Sequence, residues 1–221
     1  KMLQNNGDAA KLRLVASKTM IAEKQIRENL AIGIFSDGTA ATGKLTTKQI
    51  TGLGAVMSET STYGGVAVAD FAEWIANVID NGAVNRLITL PLMQQLFGSL
   101  SEDDEKPSCA IMRQNVYDQV WNLFQPTQRI ISEEMAGLGF SNVLSFNGIP
   151  LIVDSHADAN TIYMVNENHI KLGVHRERNL KKQTLETLEA NDAMLIRMLW
   201  AGNLVCSNRR FQGKLTDIEV A

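Results

Sequence analysis

The chain has 221 residues, of which 45% are hydrophobic and 20% charged, with a formal net charge of −3. That is enough apolar chain for one globular domain or two lobes, and the mildly acidic balance argues against avid duplex binding through phosphate neutralisation. The two cysteines, Cys109 and Cys206, are too few for a disulfide framework or a zinc site and read as free thiols of a reducing compartment. No apolar run approaches the roughly 20 residues that span a bilayer, and the first residues, Lys1–Gly7, lack the apolar stretch of a signal peptide. A chain opening on Lys1 instead of Met is expected to be a fragment of a longer product.

Asp8 is placed to cap a helix, and Leu12, Val15, Thr19, Ala22, Ile26 and Leu30 follow at steps of three or four on one face. The spacing predicts one continuous helix over Asp8–Ile32, packed along one side against strands and ending near Gly33 or the Ser36-Asp37-Gly38 turn. At about 25 residues it would run roughly 37 Å, the length of a spine. Gly38–Gly65, rich in Gly, Thr and Ser, reads as loop around one short apolar element (Ile50, Leu53, Val56, Met57) and closes on a turn at Tyr63-Gly64-Gly65. Phe71, Trp74, Ile75, Val78 and Ile79 fit a second amphipathic helix stopped by Asn81-Gly82. Arg86–Leu90 fits a short buried strand, and Pro91 opens a third helix through about Phe97.

The acidic run Glu102-Asp103-Asp104-Glu105 reads as an exposed loop, and Asn115–Phe124 as a fourth helix that Pro126 ends. Beyond Arg129 the pattern changes to short branched or aromatic segments: 143–146, 149–153, 161–165 and 169–174, separated by Gly, Asn and Asp. Ala193–Cys206 is nearly continuous in apolar character and predicts a strand buried on both faces, with Trp200 inaccessible. Phe211–Leu215 continues the strand character. Helices come first and strands later, so the fold class expected is α+β.

Several groups of residues invite a chemical reading. Gly38-Thr39-Ala40-Ala41-Thr42-Gly43-Lys44 matches a phosphate-binding loop up to its lysine, but Leu45 stands where the magnesium-ligating Ser or Thr belongs. Such a loop follows a strand and opens a helix, whereas this one follows the spine helix, so a surface loop is the simpler reading. Asp154, His156 and Asp158 could share one face of a strand and ligate a metal. The same residues make an ordinary polar connection between apolar strands, and no further His or Cys lies near. His169 and His175 fall in strand-like segments, and no G-x-S-x-G elbow accompanies any histidine. Lys106 and Arg113 flank Cys109, and Arg209-Arg210 follow Cys206; they could lower a thiol pKa, but with no histidine base close in sequence inert thiols are expected. Trp74, Trp121 and Trp200 sit in apolar stripes and read as core. No catalytic residue, cofactor-binding residue or metal ligand is assigned.

The C-terminal half carries the resemblance. Phe146-Asn147-Gly148-Ile149-Pro150-Leu151-Ile152-Val153-Asp154 is followed by Thr161–Asn166, by Ile170-Lys171-Leu172, and by Leu199-Trp200-Ala201-Gly202-Asn203-Leu204-Val205-Cys206-Ser207-Asn208-Arg209-Arg210-Phe211-Gln212-Gly213. These phrases, with Tyr63-Gly64-Gly65 leading to Trp74 upstream, resemble the major capsid proteins of tailed bacteriophages with the Hong Kong 97-type fold, over roughly residues 50 to 215. The resemblance implies a peripheral domain made of residues 1–64, with Lys11–Leu30 as its spine helix, and of the return strands in 159–221. Residues 65–158 would form the axial domain. It implies a virion subunit, made in the bacterial host cytoplasm, whose partners are copies of itself in hexamers and pentamers, scaffold, portal and other head proteins, and packaged DNA contacted non-specifically. No membrane and no cofactor are implied. The family's N-terminal arm and extended loop, which precede the spine helix, do not occur in these 221 residues. Two other readings remain open: an encapsulin-like nanocompartment of the same fold, and a nucleotide-binding enzyme using Gly38–Lys44.

Overall fold

The computed structural model describes residues 8–38, 50–124, 144–184 and 196–220. Its first element is the continuous helix that the sequence predicts, α1 (Asp8–Phe35), 28 residues long. The expected inner face is the shielded one, since Thr19, Ala22, Ile26 and Leu30 are half-buried. It is not sealed against strands along its length: Val15 is exposed, as are Met20 and Ile21 beside it, and among residues 15–35 only Gly33 and Phe35 are buried. The helix runs out past the body and enters the core with its last turn. There the short helix α2 (Leu53–Val56) meets it, so close that a Cβ on Gly52 would overlap the carbonyl oxygens of Gly33 and Ile34. The apolar cluster Ile50, Leu53, Val56 and Met57 is buried as its spacing predicts, and the Tyr63 turn closes by mutual backbone bonds with Val66.

The expected helix over Phe71–Ile79 does not form. Its place is taken by one 3₁₀ turn (Ala72–Trp74) and strand β1 (Asn77–Ile79), with Phe71 62% exposed. Branched Val78 and Ile79 favour a strand, and β1 finds a parallel partner more than 130 residues downstream, so tertiary pairing overrides the local helical period. The Asn77 amide locks the start of β1 by donating to Arg210 O (2.8 Å) and Ser99 O (3.3 Å). Arg86–Leu90 is not a strand either: Arg86 makes a single bridge to Ile218, Ile88 is buried, and Leu87 points to solvent.

The remaining elements are helix α3 (Leu90–Leu100), with Pro91 in its first turn, strand β2 (Cys109–Met112), which the sequence reading leaves unassigned, and helix α4 (Gln114–Phe124). Then come β3 (Ser145–Phe146), β4 (Ile149–Val153), β5 (Ile162–Val165), β6 (Ile170–Val174), β7 (Lys181–Thr184), β8 (Ile196–Leu199), β9 (Gly202–Cys206) and β10 (Gly213–Leu215). Asn147 and Gly148 both have positive φ, 49° and 82°, the backbone of a tight turn that matches the twist of the β3–β4 hairpin.

Six strands form one mixed sheet in the order β1-β10-β5-β2-β4-β3, with β1–β10 and β2–β4 parallel and the other pairs antiparallel. Helices α3 and α4 pack on it over a first core that includes Met93, Leu96, Leu100, Met112, Val116 and Val120. A second core gathers Phe35, Val56, Met57, Tyr63, Tyr163 and Leu204 on the other face. Strand β5 serves both: Ile162 and Met164 face the first core, Tyr163 and Val165 the second, and all four are buried. The fold class is α+β.

Ala193–Cys206 is not one doubly buried strand. β8 and β9 are separate, each in a two-stranded ribbon, β7–β8 and β6–β9. Trp200 is half-buried at the break and Val205 is 53% exposed. A run of apolar residues reads as interior whether or not a layer covers it, and here none covers the outer face of the ribbon. Residues 193–195 lie outside the described residues.

Candidate functional site

Of the expected phosphate loop, Gly38 alone is described; Thr39–Lys44 lie outside the described residues. Gly38 takes a left-handed turn (φ +78°) directly after α1, with its N–H donating to Ser36 Oγ at 3.0 Å. A helix leads into the segment, where a phosphate loop needs a strand.

Asp154, His156 and Asp158 do not converge on a common point. The His156 imidazole is held from both sides, Nδ1 on Asp154 Oδ1 at 3.0 Å and Nε2 on Glu28 Oε1 of α1 at 3.2 Å. Those carboxylates, Glu28 first, raise its pKa against a smaller opposing effect of burial. Asp158 turns the other way and accepts the Tyr163 hydroxyl at 2.5 Å. Glu28, His156 and Asp154 together clamp α1 to the body, and among the described residues no group of three or more acidic, His or Cys side chains could hold a metal. His169 stacks on Phe211 with ring centroids 5.1 Å apart and shares a hydrogen bond with Ser207 Oγ. His175 accepts from the Glu177 N–H, closing a turn.

Both thiols are moved away from reactivity. Burial raises the Cys109 pKa, and pushes Cys206 up to about 11 despite the nearby Arg209 charge. Trp74 packs on the second core and Trp121 on the first, both half-buried, while Trp200 belongs to neither.

The feature hidden from the sequence is Arg209. It is fully buried, and among the described residues it pairs with no carboxylate. Its guanidinium donates to four carbonyls: Val56 O (2.7 Å), Ser61 O (3.1 Å), Ala55 O (3.3 Å) and Ser58 O. It also lies over the Tyr63 ring, 5.6 Å from the centroid. The five-donor fork thus satisfies the carbonyls at the end of α2 and in the loop that follows. Tyr63 completes the latch by donating to Leu204 O (3.1 Å) and accepting from the Cys206 N–H (2.9 Å). Next along the chain, Gln212 exchanges bonds with the Asn166 backbone, 3.0 Å each way. Arg210 clasps Glu102 through two bonds, 2.6 and 2.8 Å. Glu105 accepts from the Asn166 amide at 2.5 Å, so the acidic loop 102–105 is tied at both ends with Asp103 and Asp104 exposed at its tip. The phrase Asn208–Gly213 is therefore a fastener joining α2, the acidic loop and two strands.

A cleft of about 710 Å³ opens between the end of α1, α2 and β10, with Asp37, Thr51, Ser58, Thr62, Asp158 and Lys214 in its wall. Burial lowers the Lys214 pKa, opposed by Asp158, Glu59 and Asp37 in that order. These acids lie near enough to favour the ammonium form, and among the described residues no histidine or thiol stands in the wall.

The most extended surface is the pair of ribbons. Beyond Val174 the pairing continues through His175 N–H to Ala201 O (2.8 Å) and Ala201 N–H to Arg178 O (2.9 Å), so β6–β9 and β7–β8 form one arm. Every residue from Lys171 to Asn179 is exposed, on both faces of the strand. The arm segments 170–184 and 196–206 carry Lys171, Arg176, Arg178, Lys181, Lys182 and Arg197 against Glu177 alone, a net of +5. The crowding of cations in 171–182 is visible in the sequence; that it stands on a projecting ribbon is not.

No family model and no curated protein matches the chain. Solved structures do. The chain is similar to a chain of the cyanophage A-1(L) capsid asymmetric unit, 16% identical, with a TM-score of 0.66 over 93% of this chain and 68% of that one. It is similar to the capsid of a native GTA particle, 14% identical, TM-score 0.58, over 98% and 69%. It is also similar to the SrpI encapsulin of Synechococcus elongatus, 12% identical, TM-score 0.56, over 99% and 69%. At such identities the likeness lies in the fold, which is the Hong Kong 97-type fold expected from the C-terminal phrases.

Proposed function

We propose that the chain is a structural subunit of a phage head, self-assembling into an icosahedral shell around double-stranded DNA. The observation that carries this reading is the match of nearly the whole chain, 93%, to a phage capsid chain. Hexamers and pentamers of the chain itself are its principal partners, with scaffold, portal and other head proteins beside them, and the packaged DNA is contacted without sequence preference. It is made in the host cytoplasm and resides in the virion. Thiols whose pKa burial raises and a His156 held between two carboxylates are in keeping with a structural role. Shell subunits act through many modest contacts repeated by symmetry.

In this reading residues 65–158 form the axial domain, and residues 1–64 and 159–221 the peripheral one, with α1 as its spine. The two cores support the division, because α3, α4 and β1–β4 supply most of the first and residues 35–63 with 204–206 much of the second. The test is microscopy and light scattering of the full-length protein in its host, with nuclease digestion of what it encloses. Closed particles protecting DNA are expected. Particles filled with a protein cargo instead would make it a nanocompartment. A protein that stays monomeric at every salt and crowding condition ends the shell reading.

A further inference from the structure

The net charge of −3 conceals a polar distribution. The described strands of the arm, 170–184 and 196–206, carry +5, and the whole of 170–206, with Glu186, Glu189 and Asp192 in the stretch that joins them, carries +2, whereas residues 50–124 hold nine acidic and three basic residues, a net of −6. Exposed apolar side chains accompany both signs. On the arm they are Leu172 (48% exposed), Val174 (37%) and Val205 (53%). On the body, Val84 (63%) and Leu87 (68%) stand at one corner beside β1, the edge strand of the six-stranded sheet. Backbone bonds from Arg86 N–H to Asp217 O (2.7 Å) and from Glu219 N–H to Arg86 O (2.8 Å) hold that corner together. Asp217 accepts from the Asn81 and Ala83 amides, at 2.8 and 3.1 Å, and Asp80 and Glu219 are exposed. The corner's one cation, Arg86, spends its Nη2 on Ile79 O at 3.2 Å.

We propose that the basic arm of one copy docks on the acidic, apolar corner Asp80–Leu87 and Glu219 of a second copy. The inference rests on the shell-subunit reading and names one contact within it. Strand β6, exposed from Lys171 onward on both faces, and Val205 of β9 leave apolar surface in water that a partner covers with gain. The partner is a second copy because the corner offers what the arm lacks, opposite charge around exposed aliphatic side chains. Such complementarity steers docking and fixes orientation. A nucleic acid would use the cations but gain nothing from Leu172, Val174 and Val205. The contact is head-to-tail, so each copy presents its own corner to the next arm, and such contacts close into a ring where the rotation between copies permits.

The test uses charge reversal in the full-length protein: K181E/K182E on the arm, D80K/E219K on the corner, and all four together. Particle formation is followed by light scattering and microscopy, with thermal unfolding by circular dichroism to confirm that each variant folds. Opposed like charges cost enough that either pair of reversals should raise the concentration at which particles appear by more than about tenfold. The fourfold variant, whose signs match again, should recover most of that loss. Wild-type assembly that both reversals leave unchanged overturns the contact while the shell reading stands. So does a fourfold variant as defective as its parents, since the two surfaces then do not meet. Arm reversals that lose only enclosed DNA would make the arm a nucleic-acid surface and overturn the proposal. A wild-type protein that forms no particles removes the shell reading and the contact with it.

Discussion

At the scale of single residues, Arg209 separates what a side chain is from what its surroundings ask of it. Buried arginines are ordinarily matched to carboxylates, yet here four carbonyl oxygens share the guanidinium and Tyr63 lies beneath it. Arg209→Met keeps much of the volume but leaves several buried acceptors without a donor, at about 1–3 kcal/mol for each that water cannot reach. A loss of roughly 3 kcal/mol or more is expected in urea unfolding, and Arg209→Lys should lose nearly as much because an ammonium cannot fork. A loss below about 1 kcal/mol would mean the carbonyls are hydrated and the latch is incidental. Cys206, whose N–H donates to the Tyr63 hydroxyl of the same latch, gives a second readout: with its thiol pushed up to about 11, it should resist alkylation in the folded protein and react when Arg209→Met loosens the latch. Nothing local marks Arg209 for this task. Asn208-Arg209-Arg210 is legible as a polar turn, but the accepting carbonyls lie about 150 residues upstream, between Ala55 and Ser61, where the one charged side chain is Glu59 and nothing in the side chains points to an arginine. Trp200 errs in the opposite direction, since its apolar neighbours signal burial that a two-stranded ribbon cannot provide.

At the scale of elements, periodicity served long helices and failed short strands. α1, α3 and the start of α4 stand within a few residues of where apolar spacing and Pro91 put them, because a helix is specified by its own residues, while the expected stop at Pro126 lies outside the described residues. β1 and β2 depend on partners instead. The first has a period that also fits a helix, and the second is four residues between Pro107 and Arg113 with no visible alternation until β4 and β5 flank it. The attachment of α1 is likewise a matter of partners and carries a pH signature. His156 is faced by Glu28 from α1 and by Asp154 and Ser155 from its own loop. Its folded-state pKa is raised, so the stabilisation is complete below the unfolded value of about 6.5 and is lost as pH climbs through the higher folded value. Hydrogen exchange of the α1 amides around Glu28 should therefore quicken as pH rises through this window, beyond the intrinsic rate increase. Glu28→Gln should flatten that excess. An exposed clamp of this kind contributes no more than about 1 kcal/mol, enough for exchange to detect and too little to unfold the body. An excess unchanged in Glu28→Gln would mean that something other than His156 governs the helix.

At the scale of the whole molecule, the order of events along the chain, helices first and strands later, was enough to give the α+β class, and the C-terminal phrases gave the capsid fold. The arm is not legible as an arm, because what defines it is that β6 stands exposed on both faces from Lys171 onward while only Leu204 and Cys206 of its partner strand reach a core among the described residues. The cores were not legible as two, because β5 joins them within four consecutive buried residues, Ile162–Val165, whose side chains alternate between one core and the other. That alternation has a thermodynamic consequence. If β5 leaves the sheet, the first core loses Ile162 and Met164 and the second loses Tyr163 and Val165, so neither can melt while the other stays intact. The two should unfold in one transition, although the chain is longer than most two-state domains. Trp121 packs on the first core and Trp74 on the second, which makes each a private reporter. With Trp200 replaced by Phe, variants retaining only Trp121 or only Trp74 should show the same urea midpoint by fluorescence, and circular dichroism should agree with both. Met164→Ala, which opens a cavity in the first core alone, should cost about 2–5 kcal/mol and lower both midpoints together. A midpoint that falls at Trp121 and holds at Trp74 would show that β5 does not couple the lobes, and that they unfold as separate units.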